Sequence, residues 1–374
     1  MLRRLWLLFA QAVTVGLACL FIVVTLKPKW LKSAPVGSTV TAETAPRAPL
    51  GSFSPAVQRA LPAVVSIYTT KEIRRPRSED PLLERFFGDR LRARPDRQLG
   101  LGSGVIATAD GYVLTNNHVV QAADEILVAL ADGRRVEAKV VGTDPETDLA
   151  VLRIDAPNLP AVTFGRSENL AIGDIVLAIG NPFDVGQTVT MGIVSALGRK
   201  GLDLNLYESF IQTDAAINQG NSGGALVDAN GNLVGINAAI YSGTGMSIGI
   251  GFAIPTTIIT QVMDQLIKTG KVVRGYFGIE VGDITPEIAD TYRLTRGSGV
   301  FVRGVERGEP AGRAGMEKGD VLLAIDNQSV RDRSGMLTQI AALAPGSTAK
   351  VRVLRDGREI DLSVQVGERP TTRK

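Results

Sequence analysis

The sequence contains one cysteine and one histidine among 374 residues, and these scarcities exclude several kinds of site. Because Cys19 has no second cysteine with which to pair, a fold built on internal disulfides is excluded. A structural zinc site needs several cysteine or histidine ligands, and this chain has too few of them. We therefore predict neither a metal site nor a cofactor, and any chemistry that needs an imidazole must use His118.

The chain also lacks a strong excess of charge, since 41 lysine and arginine residues face 38 aspartate and glutamate residues. A net charge of +3 gives no reason to expect nucleic acid as a partner. Hydrophobic residues make up 44% of the sequence, an ordinary share for globular domains. The 41 glycines favour short strands and tight turns, and the length suggests roughly two or three domains.

An uncharged run of 22 residues, Leu5 to Leu26, predicts a transmembrane helix near the amino terminus. Its length matches the roughly 20 apolar residues that cross a bilayer. The run is long for a cleaved signal sequence, which is the alternative, and basic residues at both ends leave its orientation undecided. We interpret residues 1–32 as a retained membrane anchor and residues 33–54, rich in small and polar residues, as a flexible linker.

Short apolar segments separated by turn residues follow and predict antiparallel strands in a sandwich or barrel. These strands are predicted at 63–68, 104–107, 112–115, 126–130, 136–141, 149–154, 175–179, 210–214, 225–227, 233–240 and 250–254. Only Thr256 to Thr269 has the apolar spacing of a helix, and Gly270 is placed to end it. A smaller unit follows, with strands predicted at 278–281, 299–302, 320–325 and 348–354 and a helix at 335–343.

Residues 71–97 interrupt the strand pattern with nine basic and six acidic residues. A loop of this length is often functional or mobile, and Leu82–Phe87 could form a short amphipathic turn within it. A solvated insertion without a role of its own is at least as good an interpretation, so both remain open.

The run Gly220-Asn221-Ser222-Gly223-Gly224 contains a candidate nucleophile. Serine needs a base to take its proton, and flanking glycines permit a tight turn whose exposed N–H groups can hold an oxyanion. An ordinary glycine-rich turn is the simpler interpretation of the run alone. The sole histidine, His118, supplies the missing base, and Asp148 at the head of a predicted strand can orient its imidazole, although Asp144 is not excluded.

The order histidine, aspartate, serine separates the hydrolase folds that could contain these residues. The α/β-hydrolase elbow has a similar Gly-x-Ser-x-Gly string but places its histidine after the serine, and no histidine follows Ser222. The subtilisin order begins with aspartate, and that fold needs helices that the strand-rich pattern lacks. The order found here is that of chymotrypsin.

From about Ala60 to its carboxyl terminus the sequence resembles the HtrA/Deg family of chymotrypsin-fold serine proteases. The resemblance is carried by the segments 101–106 (LGSGVI), 115–119 (TNNHV), 147–152 (TDLAVL), 180–182 (GNP), 212–218 (QTDAAIN), 220–224 (GNSGG) and 249–255 (GIGFAIP). A single predicted anchor and a single PDZ-like unit are most similar to the membrane-anchored DegS/AlgW-like branch. The 71–97 insertion, with Phe86-Phe87-Gly88, is instead similar to relatives with two PDZ domains.

The resemblance implies a mainly β fold, with a chymotrypsin-like double β-barrel protease domain over residues 55–270 and one PDZ domain over 271–367. It implies a catalytic triad of His118, Asp148 and Ser222. It also implies an oxyanion hole built from the backbone N–H groups of Gly220, Asn221 and Ser222.

The same resemblance places the specificity pocket at Ala216 and Ile217. Because neither side chain is acidic, we expect cleavage after small aliphatic residues rather than after lysine or arginine. Asn221 stands where secreted chymotrypsin-like enzymes carry the aspartate that pairs with a new amino terminus. Asparagine has no charge for that pair, so we expect activation by ligand binding rather than by clipping.

Two further segments match regulatory parts of the family. Arg199 matches the sensor loop, with a solvated basic turn as the alternative. Tyr276, Phe277, Gly278 and Ile279 match the PDZ loop that binds a peptide carboxylate, and the strand after that loop can pair with the peptide.

The partners implied by the resemblance are polypeptide substrates, the C-terminal peptides of misfolded envelope proteins, the inner membrane and two further copies in a homotrimer. The resemblance also implies a single-pass inner-membrane protein with both folded domains in the periplasm. Cleavage of an anti-sigma factor during envelope stress is the function we expect, and general periplasmic quality control is the alternative. Two other hypotheses are to be tested: a PDZ-containing chaperone without proteolysis, and a membrane-tethered scaffold that faces the cell interior.

Overall fold

The computed structural model describes residues 6, 9–18, 21, 51–73, 96–121, 123–181, 186–202, 204–218, 220–240, 247–292, 294 and 299–370. The chain divides into two compact units, Met1–Ser52 and Phe53–Lys374. In the first unit residues 9–18 are helical, and no helix in the described part of the chain is long and apolar enough to cross a membrane. Most of the predicted linker and the turn at Leu82–Phe87 lie outside the described residues.

Six strands after a short helix, α1 (Ser54–Ala60), close into a first barrel in the order β1-β2-β3-β6-β5-β4. They are β1 (Val64–Ile73), β2 (Asp96–Ile106), β3 (Tyr112–Asn116), β4 (Glu125–Ala129), β5 (Arg135–Asp144) and β6 (Leu149–Ile154). Helix α2 (Asn117–Val120) continues directly from β3. The barrel fills with inward-facing aliphatic residues such as Ile67, Ile106 and Leu152, each fully buried.

Six further strands close into a second barrel in the order β10-β11-β12-β9-β8-β7. They are β7 (Ile175–Gly180), β8 (Thr188–Arg199), β9 (Phe210–Thr213), β10 (Ala225–Asp228), β11 (Leu233–Ile240) and β12 (Gly251–Pro255). Residues of both barrels, among them Leu149 and Ile236, share one apolar cluster. That cluster fixes the two barrels against each other and so creates the groove in which the candidate site lies.

Helix α3 (Thr256–Thr269) packs on the shared cluster through Ile259, Val262 and Leu266. These residues recur at helical spacing, which is why the helix was predictable from the sequence. Gly270 ends the helix with a φ of 74°, a left-handed conformation that favours glycine. The predicted helix and its end are confirmed.

Within the second compact unit, residues 274–368 follow the barrels and are called the carboxyl-terminal unit below. It has a main sheet in the order β14-β15-β16-β18-β19, a short strand paired with β16, and a two-stranded ribbon. Its elements are β13 (Gly275–Tyr276), β14 (Ile279–Gly282), α4 (Pro286–Tyr292), β15 (Val300–Val305), α5 (Pro310–Arg313), β16 (Val321–Ile325), β17 (Gln328–Ser329), α6 (Arg333–Ala342), β18 (Thr348–Arg355), β19 (Arg358–Gln365) and β20 (Gly367–Glu368). Its own core contains Phe277, Val302, Met336 and Val351. Strand β14 lies at one edge of the sheet.

The two barrels confirm the mainly β prediction, and each predicted strand overlaps an observed one. Strands β8 and β19 and the two-residue strands β13, β17 and β20 were not predicted. The odd-numbered residues Val189, Met191 and Ile193 of β8 are apolar yet exposed, so its hydrophobic pattern does not mark an inner face. Strand β19 is an edge strand with few buried residues, which weakens its apolar pattern.

Candidate active site

The pairing of β3 with β6 brings His118 and Asp148 together. Asn116, the last residue of β3, lies opposite Leu149, the first residue of β6. Asp148 therefore precedes β6 at the point where His118 follows β3. Nδ1 of His118 lies 2.7 Å from Oδ2 of Asp148, and the His118 backbone N–H donates to Oδ1 over 2.9 Å. This pairing orients the ring and leaves its Nε2 directed away from the carboxylate.

Asp148 has a φ of 59°, an unusual left-handed conformation for a residue with a side chain. Its carbonyl accepts from Asn116 Nδ2 at 2.9 Å and from Asn117 N at 3.1 Å. Those bonds hold the strained backbone that turns the carboxylate toward His118. Asp144, the residue that the sequence did not exclude, makes no contact of this kind and pairs with Arg274 instead.

Ser222 lies in the turn between β9 and β10. The N–H of Asn221 donates to Asn218 O at 3.0 Å and closes a four-residue turn, in which Gly220 has a φ of 99°. The hydroxyl of Ser222 donates to Ala238 O at 3.3 Å, so it must rotate to reach His118. Among the described residues neither Gly220 N nor Ser222 N has an intramolecular acceptor, whereas the Asn221 N–H, also predicted for the oxyanion hole, is occupied.

Gly223 cannot carry a side chain without disturbing this turn. Its φ is 83°, and an added Cβ would overlap Ser103 O and Thr115 Oγ1. We expect Gly223→Ala to lower kcat/KM by about 100-fold, because small displacements of reacting groups have effects of that order. Gly173→Ala is the matched control, since Gly173 has a φ of 99° and open space around it. Peptide hydrolysis and thermal unfolding of both variants would check this, and equal losses of activity would contradict it.

Both predicted pocket residues adjoin the nucleophile turn. Ala216 O accepts from Thr190 Oγ1 at 2.8 Å and from Asn221 Nδ2 at 3.4 Å. Ile217 is 1% exposed, and a Cβ on Gly251 would lie 2.9 Å from its Cδ1. The residues at this position are therefore apolar and closely packed.

Arg199 ends β8, where its Nε donates to Gln212 Oε1 at 2.7 Å. The segment after it is organised by Glu208, which is 4% exposed. The carboxylate of Glu208 accepts from Leu202 N at 2.8 Å and from Leu204 N at 2.7 Å. This acid could not be found from the sequence, because its partners are backbone groups of an irregular loop.

The loop that carries Asp148 also contacts the carboxyl-terminal unit through Arg274. Arg274 bonds to Asp144 at 2.8 and 2.5 Å and to Glu146 at 3.2 Å, and it lies over the ring of Tyr207 at 4.6 Å. Burial alone would lower the pKa of Arg274, but its bonds to Asp144 raise the pKa overall. For Tyr207 burial acts in the opposite direction and raises the pKa, because it disfavours the charged phenolate. Arg369 extends the cluster with a bond of 2.5 Å to Glu146.

The predicted carboxylate-binding loop turns at Gly278, which has a φ of 73°. Phe277 is buried in the core of the carboxyl-terminal unit, whereas Tyr276 OH donates to Glu306 at 3.1 Å. Partial burial, followed by the bond to Glu306, raises the pKa of Tyr276. Since β14 begins at Ile279 and pairs with one strand within the described part of the chain, its other edge can pair with an added strand.

A cleft of about 1630 Å³ runs from the catalytic pair to helix α6. Its lining includes His118, Asp148, Lys200, Arg274 and Leu337. The candidate active site and the carboxyl-terminal unit therefore open onto the same space. Within the described ranges no group of three or more His, Cys, Asp or Glu residues is placed to hold a metal ion.

Comparisons with known proteins identify relatives of both folded parts. A trypsin-like peptidase domain model matches residues 102–236, and a PDZ domain model matches residues 275–366. The chain is 40% identical to the periplasmic pH-dependent serine endoprotease DegQ of Escherichia coli, over 97% of this chain and 78% of that protein. It is 46% identical to a probable periplasmic DegP-like serine endoprotease of Chlamydia trachomatis, over 78% of this chain and 60% of the relative's length.

Solved structures give the same assignment. The HtrA-type protease AlgW with a decapeptide is 54% identical, with a TM-score of 0.76, and the match covers 86% of this chain and 100% of that one. A serine endoprotease from Yersinia pestis is 42% identical, with a TM-score of 0.64, and the match covers 86% of this chain and 99% of that one.

Proposed function

The chain belongs to the HtrA/Deg family of serine endoproteases, and from that premise we propose that it hydrolyses envelope polypeptides with Ser222 as nucleophile. The observation that carries the proposal is the 2.7 Å contact between His118 Nδ1 and Asp148 Oδ2. Ala238, whose carbonyl accepts from the Ser222 hydroxyl, lines the same cleft as this pair. The glycine turn that carries Ser222 presents two backbone N–H groups without partners among the described residues.

Each triad residue has a distinct role in the proposed reaction. Ser222 Oγ leaves Ala238 O, donates its proton to Nε2 of His118 and attacks the scissile carbonyl. Asp148 holds the tautomer with Nδ1 protonated and stabilises the imidazolium that forms. The N–H groups of Gly220 and Ser222 bind the oxyanion. His118 then returns the proton to the leaving amine, and water hydrolyses the acyl-enzyme by the same route.

The pocket and the nucleophile turn suggest specificity and mode of activation. Apolar residues at Ala216 and Ile217 favour small aliphatic side chains before the scissile bond. Asn221 is 1% exposed and uncharged, so it offers no carboxylate to a newly formed amino terminus. We propose instead that peptides with free carboxyl termini bind at Tyr276–Ile279 and act through the Arg199 loop. Glu208 and Asn205, which bonds to Thr147 O at 3.2 Å, connect that loop to Asp148.

The cellular setting is proposed from the relatives, which are described as periplasmic. We place the protein in the inner membrane through a single anchor in residues 1–32, as a homotrimer with both folded domains in the periplasm. Its expected task is cleavage of an anti-sigma factor during envelope stress. General quality control of misfolded envelope proteins is the second candidate. The DegQ and DegP relatives, described as periplasmic serine endoproteases, match over most of this chain.

Cleavage-site mapping of β-casein by the full chain tests the proposal. We expect cuts after valine and alanine, and activity stimulated about tenfold or more by a peptide with a free apolar carboxyl terminus, since ordering a loop can shift a minor active state to dominance. The same peptide with an amidated terminus is the control and should not stimulate. Cuts mainly after lysine or arginine would contradict the pocket assignment, and equal stimulation by the amide would contradict the PDZ role.

A further inference from the structure

Ser103 of β2 is a fully buried side chain of the first barrel that reaches the nucleophile turn of the second. Its hydroxyl donates to Gly220 O at 2.6 Å, across 117 residues of chain. Its backbone N–H donates to Ser222 O at 2.8 Å. Its own carbonyl accepts from Thr115 Oγ1 at 2.7 Å, which ties Ser103 to the strand that ends beside His118.

The two carbonyls that Ser103 holds belong to the same two residues whose N–H groups face the expected oxyanion. The Gly220 carbonyl belongs to the peptide unit directly after the Gly220 N–H. The Ser222 carbonyl belongs to the peptide unit directly after the Ser222 N–H. Gly220 has a φ of 99°, a conformation from which glycine can depart easily because it has no Cβ. Local sequence alone therefore does not fix the direction of its peptide units, and an outside anchor is needed.

The direction of the Ser103 hydroxyl proton is fixed as well. A serine hydroxyl has one proton to donate and lone pairs to accept. Asn181 N donates to Ser103 Oγ at 2.9 Å, which leaves the proton for Gly220 O. Asn181 is 4% exposed, and its Nδ2 donates to Ser66 Oγ at 2.8 Å. Asn181 therefore donates to the two serines through separate groups, and Ser103 in turn donates to Gly220 O in the turn.

We infer that Ser103 is a positioning residue for the oxyanion hole: its side chain holds the Gly220 carbonyl so that the N–H groups of Gly220 and Ser222 converge on one point. The inference rests on the proposed serine protease function and adds a residue to it. A residue with this role stabilises the transition state and leaves substrate binding unchanged, so it affects kcat and hardly affects KM.

A merely structural serine would behave differently. Its loss would lower the stability of the fold without changing the turnover of the folded fraction. The matched control is Ser66→Ala, which removes another buried hydroxyl that accepts from Asn181, through its side chain, and that is not bonded to Gly220. The two variants are therefore comparable in burial and bonding and differ in contact with the turn.

The experiment compares wild type, Ser103→Ala, Ser66→Ala and Ser222→Ala as full chains. It measures kcat and KM on a peptide substrate, the inhibition constant of a peptide boronate, whose tetrahedral adduct places an oxygen in the oxyanion hole, and the thermal midpoint. We expect Ser103→Ala to lower kcat by about 10- to 100-fold, somewhat less than loss of an oxyanion donor itself. KM should stay within about twofold, and boronate affinity should fall by the same factor as kcat.

Ser66→Ala should keep both kcat and boronate affinity within about threefold of wild type. If Ser103→Ala does not fold, Ser103→Cys applies the same criteria, because a thiol fills the space but donates weakly. A kcat for Ser103→Ala equal to wild type, or losses equal to those of Ser66→Ala, would overturn the positioning role alone. If wild type is no more active than Ser222→Ala, the proposed function and the inference fall together.

Discussion

Ser222→Ala is expected to lower kcat by about 10⁶-fold, with His118→Ala nearly as low and the double variant no lower. The non-additivity follows from the mechanism, because a base without a nucleophile and a nucleophile without a base are equally ineffective. Asp148→Asn should retain more activity, with a loss of about 10⁴-fold, since it keeps the ring in place but favours the wrong tautomer. Peptide hydrolysis measured with each purified full-length variant gives these values.

The same variants separate the protease from a PDZ-containing chaperone. Ser222→Ala should keep the wild-type affinity for peptides with free carboxyl termini, because Tyr276–Ile279 lies outside the two barrels that carry the triad. Ser363→Ala, in strand β19 of that unit, is the control serine and should keep full turnover. Proteolysis by Ser222→Ala at the wild-type rate would reject Ser222 as the nucleophile. If wild type shows no proteolysis, and wild type and Ser222→Ala suppress aggregation equally, the chaperone is favoured.

The parts of the site that could be predicted from the sequence contain either a residue type that occurs once in the chain or a cluster of glycines. The only histidine had one possible role as a base, and the glycines around Ser222 indicated its turn. The choice between Asp144 and Asp148 depended on the register of β3 against β6, which pairs Asn116 with Leu149 and is not visible in a local pattern. The family resemblance favoured Asp148, and the contact with His118 shows why its position suits the role.

The residues that the sequence did not assign act through distant contacts. Ser103 reaches Gly220 across 117 residues, and Arg274 reaches Asp144 across 130. Neither side chain has a local signature, since a serine in a strand and an arginine at a domain boundary are ordinary. Prediction of the fold was limited in a similar way. Apolar periodicity predicted α3, but it could not predict β8, whose alternate residues are apolar and exposed.

Arg274→Met is expected to lower the free energy of unfolding by about 3–5 kcal/mol, the cost of leaving a buried charge without its partner. The side chains of Arg274 and Asp144 are 9% and 4% exposed, so water cannot replace the lost bonds. Glu146 keeps a partner in Arg369, and the loss therefore falls mainly on Asp144. Denaturant unfolding followed by far-ultraviolet circular dichroism measures the change, with the transitions of the two folded parts fitted separately if they divide.

A double variant distinguishes the cost of an unpaired charge from the worth of the pair. Arg274→Met with Asp144→Leu removes both charges, and it should recover more than half of the stability lost in Arg274→Met, because apolar replacement of a buried pair is often neutral. Arg352→Met is the matched surface control: Arg352 bonds to Asp361 at 2.9 Å, but both side chains are about 40% exposed, so its stability should hardly change. A double variant no more stable than Arg274→Met would show that shape and the bond from Thr147 to Asp144, rather than charge, make this contact necessary.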